Sequence, residues 1–458
     1  MVVPLRELHI QNFRGVREAT IRLDPRVTVL FGANAAGKST ILDALAIGLG
    51  AITARVPKAK GRDFAKRGDL RVTWIRSHDV VQPDVRVEWG TEMPFARIAL
   101  VSEDDIRWDV TRLRSQQDRG TVPKGHGVKA LHEWLDPRVR EVLDGGRPVD
   151  PLPLVAAYGN ERAVVQVPLR EKAFNTEFDR FGALDEALQA TTRFKRVFEW
   201  FRVMEDEERR GMEQRRDFDY RLPALEWIRR AVGAAGLRCR DPRVETKPIR
   251  MLVDFELDDR RLQPLDISAL SDGYRTHFAL VVDLARRMVQ LNPSDDLDDP
   301  ERGTNSPAVV LIDEVDLHLD PTWQARVVQG LLAAFPRTQF VLTTHSEQVI
   351  GSVQAQHVRH LRWSEDEIVV DEVPFAQGAT GERILVDLMG ASQRVPGPVT
   401  ERLAEYRRLV GEGRGASPEA VELRRTLEHE LPGDPALHGA DLEMQRQQLM
   451  ARFRGGEG

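Results

Sequence analysis

A single cysteine, Cys239, stands in a chain of 458 residues. One thiol excludes an internal disulfide framework and every zinc site built on several cysteines, and it fits a reducing compartment, so a cytoplasmic protein is expected. No run of apolar residues approaches the ~18 needed to span a bilayer. The opening "MVVPLRELHIQNFRG" has neither the apolar core nor the cleavage site of a secretory leader. No membrane contact is expected. Charge of one sign is also missing: 66 Lys and Arg against 72 Asp and Glu leave a net charge of −6. Any nucleic-acid contact would therefore have to come from a local basic patch. What is present is 41% hydrophobic content, enough for a large core in a chain too long for one compact domain.

The apolar pattern switches between strand and helix periods along the chain. "LRELHIQNF" (5–13) alternates as a strand does, and "VTVLFG" (27–32) reads as a buried strand. "STILDALAIGLG" then places Ile41, Leu42, Leu45, Ala46 and Leu49 on one helical face. Residues 70–155 carry alternating pieces that suggest an antiparallel sheet, with a short helix at "VKALHEWLD", and "LPLVAAYG" is a further strand. The stretch 171–236 turns helical, with Phe194, Val197, Phe198, Phe201 and Met204 forming one core-facing stripe. "IRMLVDFEL" predicts a strand, "GYRTHFALVVDLARRMVQL" a long helix, and the acidic run 292–307 a surface loop. "AVVLID" and "QFVLTTH" are the continuous apolar runs of a parallel sheet. Beyond residue 380 come three amphipathic helices, with Ser417 and Pro418 as an N-cap and N1 pair.

Four stretches carry chemistry. "GANAAGKST" (32–40) fits the phosphate-loop pattern and lies between a strand and a helix. Gly32, Asn34, Ala35, Ala36, Gly37 and Thr40 belong to a backbone cradle for phosphate oxygens. Lys38 would reach the β- and γ-phosphates, and the Ser39 hydroxyl would ligate Mg²⁺. "VVLIDEVD" ends a buried strand in two acids, with Asp313 placed to hold Mg²⁺ and Glu314 to orient or deprotonate an attacking water. "VLTTHS" puts His345 at a neighbouring strand end, where sensing of the γ-phosphate is expected. Finally, Ser271-Asp272-Gly273 opens the long helix, far along the chain from the phosphate loop.

The order of these motifs resembles that of ABC-type ATPases: a phosphate loop, a serine-glycine helix start, an acidic strand end, Asp320 in "HLD" at the D-loop, and a strand-terminal histidine. The resemblance implies an α/β ABC-type ATPase head, a P-loop parallel sheet plus an antiparallel β lobe, with a helical insertion and a C-terminal helical region. It also implies ATP and Mg²⁺, and a homodimer or higher oligomer in which Ser271 and Gly273 cap the γ-phosphate held by a second copy. "LHIQNFRG" is similar to the opening of the RecF/SMC-like branch, where Arg14 would approach the nucleotide. "LPLVAAYGNER", "FKRVFEWFRVMED", "LSDGYRTHFALVVDLARR" and "VVLIDEVDLHLDPTWQ" resemble bacterial "predicted ATP-binding proteins involved in virulence". Relatives on this branch act on DNA ends or gaps, or serve as ATPase halves of anti-phage systems such as Septu, where a separate nuclease is the effector. Two departures stand out. Asp272 replaces a serine or glycine, and the expected Q-loop glutamine position offers Asn160, Glu161 and Arg162.

The expected organisation is the N-terminal part of the head over 1–70, a β-rich insertion over 71–160 and a helical insertion over 161–245. The rest of the head follows over 246–380, and a helical region over 381–458. The last region carries the stripe Val399, Leu403, Tyr406 and Leu409 and is either a cap on the ATPase or a docking surface for a partner. No nuclease module is legible, so the effector, an HNH-type or other nuclease, would be a separate protein. Two alternatives stay open: a nucleotide-gated scaffold with negligible turnover, and a repair clamp that binds DNA through Lys58, Lys60, Lys66 and Arg67.

Overall fold

The computed structural model describes residues 3–65, 68–78, 86–160, 178–189, 194–246, 248–364, 367–391 and 397–455. The chain forms two compact units, residues 1–384 and 385–458.

The first unit is organised by a six-stranded sheet with strand order Glu367–Glu372, Val358–Ser364, Val27–Phe31, Thr338–Thr344, Ala308–Ile312, Leu154–Tyr158. The last five are parallel, and the first is an antiparallel edge. Val27–Phe31, Ala308–Ile312 and Thr338–Thr344 are buried at every position, which is why they read as unbroken apolar runs rather than alternating ones. The parallel registers Ile312↔Leu342, Ile312↔Tyr158 and Thr344↔Phe31 bring four strand ends to one edge. The loops that begin at Gly159, Gly32, Asp313 and His345 therefore open side by side.

A second, antiparallel sheet has the order Val16–Arg22, Leu5–Phe13, Phe95–Ser102, Arg107–Leu113. The helix Lys38–Thr53 lies between the two sheets and is buried almost throughout. Its Gly48 carbonyl accepts the Trp108 indole N–H at 2.9 Å. The fully buried Gln339 side chain stitches the sheets together: it accepts from Leu5 N at 2.8 Å and donates to the carbonyls of Leu5 and Asp24, both at 2.7 Å. Residues 71–160 distribute their strands among three sheets, since Val72–His78 and Arg86–Glu92 form a hairpin of their own while Leu154–Tyr158 edges the central sheet.

The helical stretch contains Phe194–Arg215 and Pro223–Ala234, held together by Glu208, which accepts both guanidinium nitrogens of Arg229 at 2.9 and 3.0 Å. Phe194, Val197, Phe198 and Phe201 are buried as the stripe predicts. A three-stranded sheet follows, with Ile249–Glu256 between Leu262–Asp266 and Cys239–Thr246. The long helix Asp272–Leu291 is then buried on nearly all sides. The acidic run after it is only partly a surface loop: Asn292, Ser294, Arg302, Thr304 and Ser306 are buried. Asn292 pairs with both backbone groups of Leu152 at 3.0 and 2.8 Å.

The second unit contains the helices Pro398–Gly411, Pro418–Glu430 and Pro435–Gly455 around their own core of Leu403, Tyr406, Leu409, Leu427 and Leu437. Ser417 caps the middle helix by accepting from Ala420 N, and Pro418 occupies its first turn. Among the described residues, no helix is long and apolar enough to cross a membrane.

Candidate nucleotide site

The loop between Phe31 and Lys38 has the backbone of a phosphate cradle. Ala35 sits at φ +64° and Gly37 at φ +94°. The positive φ at Gly37 favours glycine, and a Cβ there would also press on the end of the Ile368 side chain at 2.3 Å. Asn34 and Ala35 are exposed and Ala36 is buried. Lys38 Nζ folds back on the loop, donating to the carbonyls of Gly32 at 2.9 Å and Ala33 at 3.0 Å. Burial lowers the Lys38 pKa, opposed by Asp313, Glu314 and Asp316 nearby. Ser39 and Thr40 follow in the first turn of the helix.

Ser39 Oγ donates to Asp313 Oδ2 at 2.9 Å, which joins the loop to the acidic strand end. Asp313 itself is held from both sides, by its N–H on the Tyr158 carbonyl at 2.8 Å and by the Thr343 hydroxyl on Oδ1. The same Thr343 hydroxyl accepts the Glu314 N–H at 2.7 Å. Glu314 adopts φ +49°, a left-handed conformation that costs a non-glycine residue on the order of 1 kcal/mol or more and clusters at functional sites. The half-buried His345 follows at the adjacent strand end. Sequence reasoning passed over Thr343 and Thr344, although two hydroxyls inside a fully buried strand demand partners. Thr344 Oγ1 donates to Asp316 Oδ1 at 2.6 Å, and Ser346 Oγ donates to Gln324 Oε1 at 2.7 Å. The turn after the acidic pair is thus fastened to the histidine strand.

Asp320 caps the short helix Pro321–Gln324, accepting from Thr322 N at 2.9 Å and Trp323 N at 3.3 Å. Ser271 occupies the N-cap of the long helix, yet its hydroxyl does not cap that helix, and the residue is exposed. Gly273 is buried against the turn: a Cβ there would meet the His318 carbonyl oxygen at 2.2 Å. Tyr274 packs edge-on against Trp323, centroids 4.7 Å apart, so the helix start rests against the short helix that Asp320 caps. Asp272 forms an ion pair with Arg275.

Arg14, expected near the nucleotide, is held by two carboxylates. Its guanidinium is held by Asp43 at 2.7 Å and Asp69 at 2.9 Å. Burial works against its charge, but the two carboxylates outweigh it and raise the pKa. In the basic stretch 54–71, which holds the four cations of the DNA-binding alternative, Arg55 pairs with Asp136 at 2.6 Å, Arg62 with Asp43, and Lys58 with Asp179 at 3.1 Å. Lys60 is exposed. Lys66, Arg67, Glu161 and Arg162 lie outside the described residues, whereas Asn160 is exposed at the end of its strand.

The donor set suits Mg²⁺. Ser39 and Asp313 offer one hydroxyl and one carboxylate within hydrogen-bond reach of each other. Mg²⁺ commonly takes only one or two such protein oxygens and completes its shell with phosphates and water. Among the described residues no group of three or more His, Cys, Asp or Glu could hold a metal ion by itself.

An "AAA domain" profile matches residues 7–225, and a second, "AAA domain, putative AbiEii toxin, Type IV TA system", matches residues 151–351. The chain is 25% identical to the Retron Ec83 probable ATPase of Escherichia coli, over 96% of this chain and 86% of that protein. It is 24% identical to the Retron Vc95 probable ATPase of Vibrio cholerae, over 88% and 82%. The Septu protein PtuA of Bacillus thuringiensis is 32% identical over a shorter segment, 23% of this chain and 28% of that protein. Among solved structures, the SMC head domain from Thermotoga maritima aligns with a TM-score of 0.36 at 14% identity, over 81% of this chain and 99% of that one. With a phosphate loop beside a parallel sheet edge, the chain is similar to AAA-domain proteins over parts of its length, and to the probable ATPases of two retrons over most of it.

Proposed function

We propose that two copies of this chain close around Mg·ATP, hydrolyse it, and thereby control a separate effector protein in anti-phage defence. The observation that carries this reading is the Ser39–Asp313 hydrogen bond, which draws the phosphate loop and the acidic strand end into one site with Glu314 beside it. In this reading Lys38 exchanges its two loop carbonyls for the β- and γ-phosphate oxygens. Ser39 and Asp313 hold Mg²⁺, which supplies positive charge to the phosphates when bound. Glu314 accepts the proton of the attacking water, and His345 holds the γ-phosphate from the neighbouring strand end. The exposed Ser271, with its hydroxyl unspent on its own helix, and Gly273 behind it are the groups a second copy's triphosphate would meet. Asp320 caps the short helix whose Trp323 packs against Tyr274, the residue after Gly273. The kinship with retron and Septu ATPases supports a defence role, and a nuclease is the effector class that the Septu resemblance suggests.

Two variants test this. Lys38→Ala should lose ATP binding. Glu314→Gln should bind ATP, turn it over some 10²–10⁴-fold more slowly, and accumulate as an ATP-retaining dimer in native mass spectrometry. Wild-type turnover by both variants would refute the assignment.

A further inference from the structure

The strand Val358–Ser364 runs parallel to the phosphate-loop strand, with His360 paired to Phe31, and then continues past the point where its partner turns into the loop. Its extra residues therefore flank the loop itself. Trp363 is the notable one. Its indole N–H donates to the Ala35 carbonyl at 2.8 Å, at the residue that turns the loop through φ +64°. The ring edge lies against Gly15, where a Cβ would stand only 2.7 Å from Cη2 and 3.2 Å from Cζ2, so the β-turn after Arg14 has given up its side chain to admit the indole. Even so, Trp363 remains 51% exposed. A tryptophan whose polar edge is satisfied and whose ring stays half in water, fixed at the rim of a phosphate cradle, offers a flat apolar surface where a nucleotide's base emerges.

Building on the nucleotide reading above, we propose that Trp363 is the platform on which the base of the bound nucleotide stacks, and so the residue that distinguishes a nucleoside triphosphate from a bare polyphosphate. The phosphates are held by backbone and Lys38, which read charge alone. The indole adds a contact that only a planar base can make.

The test compares Mg·ATP with Mg·tripolyphosphate, which has the charge and no base, by calorimetric titration of the full chain. Trp363→Ala should weaken ATP roughly tenfold to a hundredfold, the span of base–aromatic stacking, and leave tripolyphosphate affinity unchanged. Trp363→Phe keeps a ring but removes the N–H, and should retain most of the ATP affinity. Equal weakening of both ligands in Trp363→Ala would overturn the proposal, because the side chain would then merely brace the loop. Unchanged ATP affinity would overturn it as well. A wild-type chain that binds neither ligand would defeat the nucleotide reading itself, and this outcome is separable from the other two.

Discussion

Replacing Asp283 with asparagine should unfold much of what holds the long helix to the central sheet. Asp283 is 2% exposed and accepts four hydrogen bonds: Arg286 Nε at 3.2 Å and Nη2 at 2.7 Å, Arg287 Nε at 2.8 Å, and the Tyr158 hydroxyl at 3.0 Å. Both arginines are buried as well, at 2% and 7% exposure. Burial alone would raise the Asp283 pKa, but Arg287 and Arg286 outweigh it and hold the carboxyl well below the usual carboxylate range. The cluster therefore stays charged at neutral pH, and its contribution is lost only as pH falls below the ordinary carboxylate range toward the depressed native value. Asparagine preserves the shape and removes the charge, leaving two guanidinium groups side by side without the carboxylate they share. Breaking a buried pair in this way typically costs about 3–5 kcal/mol, a large share of the ~5–15 kcal/mol that stabilises a domain. Urea unfolding followed by circular dichroism at pH 7 reads the difference directly. The combined variant Asp283→Leu, Arg286→Met, Arg287→Met should recover much of the loss, since it removes the charges together. A loss below about 1 kcal/mol in Asp283→Asn would show that the arginines relocate to water, and the argument from burial would fail.

Glu205 predicts a pH effect of the opposite sign. Burial pushes its pKa up to about 7 despite the Val244 N–H it accepts, so the native state holds this proton more tightly than the unfolded chain and stability falls as pH rises from the ordinary glutamate value toward 7. Glu205→Gln should accordingly gain on wild type between pH 5 and pH 8, approaching roughly 3 kcal/mol, and parallel unfolding curves at the two pH values would contradict this. Gly273→Ala forces a methyl against the His318 carbonyl oxygen. It should leave ATP binding to the monomer largely intact while abolishing the ATP-dependent dimer in light scattering. Gln339→Leu strands the Leu5 N–H and the carbonyls of Leu5 and Asp24 in the interior, and should cost about 2–4 kcal/mol in urea unfolding.

The fold class was legible because its central strands are buried on both faces. "VTVLF", "AVVLI" and "QFVLTT" carry no alternation to confuse them with surface strands, and each ends abruptly in glycine, acid or histidine. Edge strands were harder to see. Val16–Arg22 exposes Arg17, Glu18 and Arg22 and reads as a polar turn, and the hairpin Val358–Ser364 with Glu367–Glu372 is similarly charge-rich. The long helix was legible, but the fate of its charges was not. Asp283, Arg286 and Arg287 resemble a solvated face in the sequence, yet they are buried because Tyr158 and the backbone of Ala183 and Asp185 satisfy them from elsewhere in the chain. At the candidate site, the phosphate loop and the acidic pair could be named from spacing. The Thr343 hydroxyl that ties Asp313 to the Glu314 amide could not, because its partners come from a strand that lies thirty residues away along the chain.

The helix that springs from the phosphate loop has a layer of strands above it and another below, with the Gly48 carbonyl pinned by an indole and no room for a side chain at that point: a Cβ would stand 2.6 Å from Leu100. An element so enclosed in close-packed surroundings cannot act as a piston. On the proposed function, movement around the phosphate loop falls to surface pieces with water at their backs, such as the exposed Ser271 turn, and not to this helix.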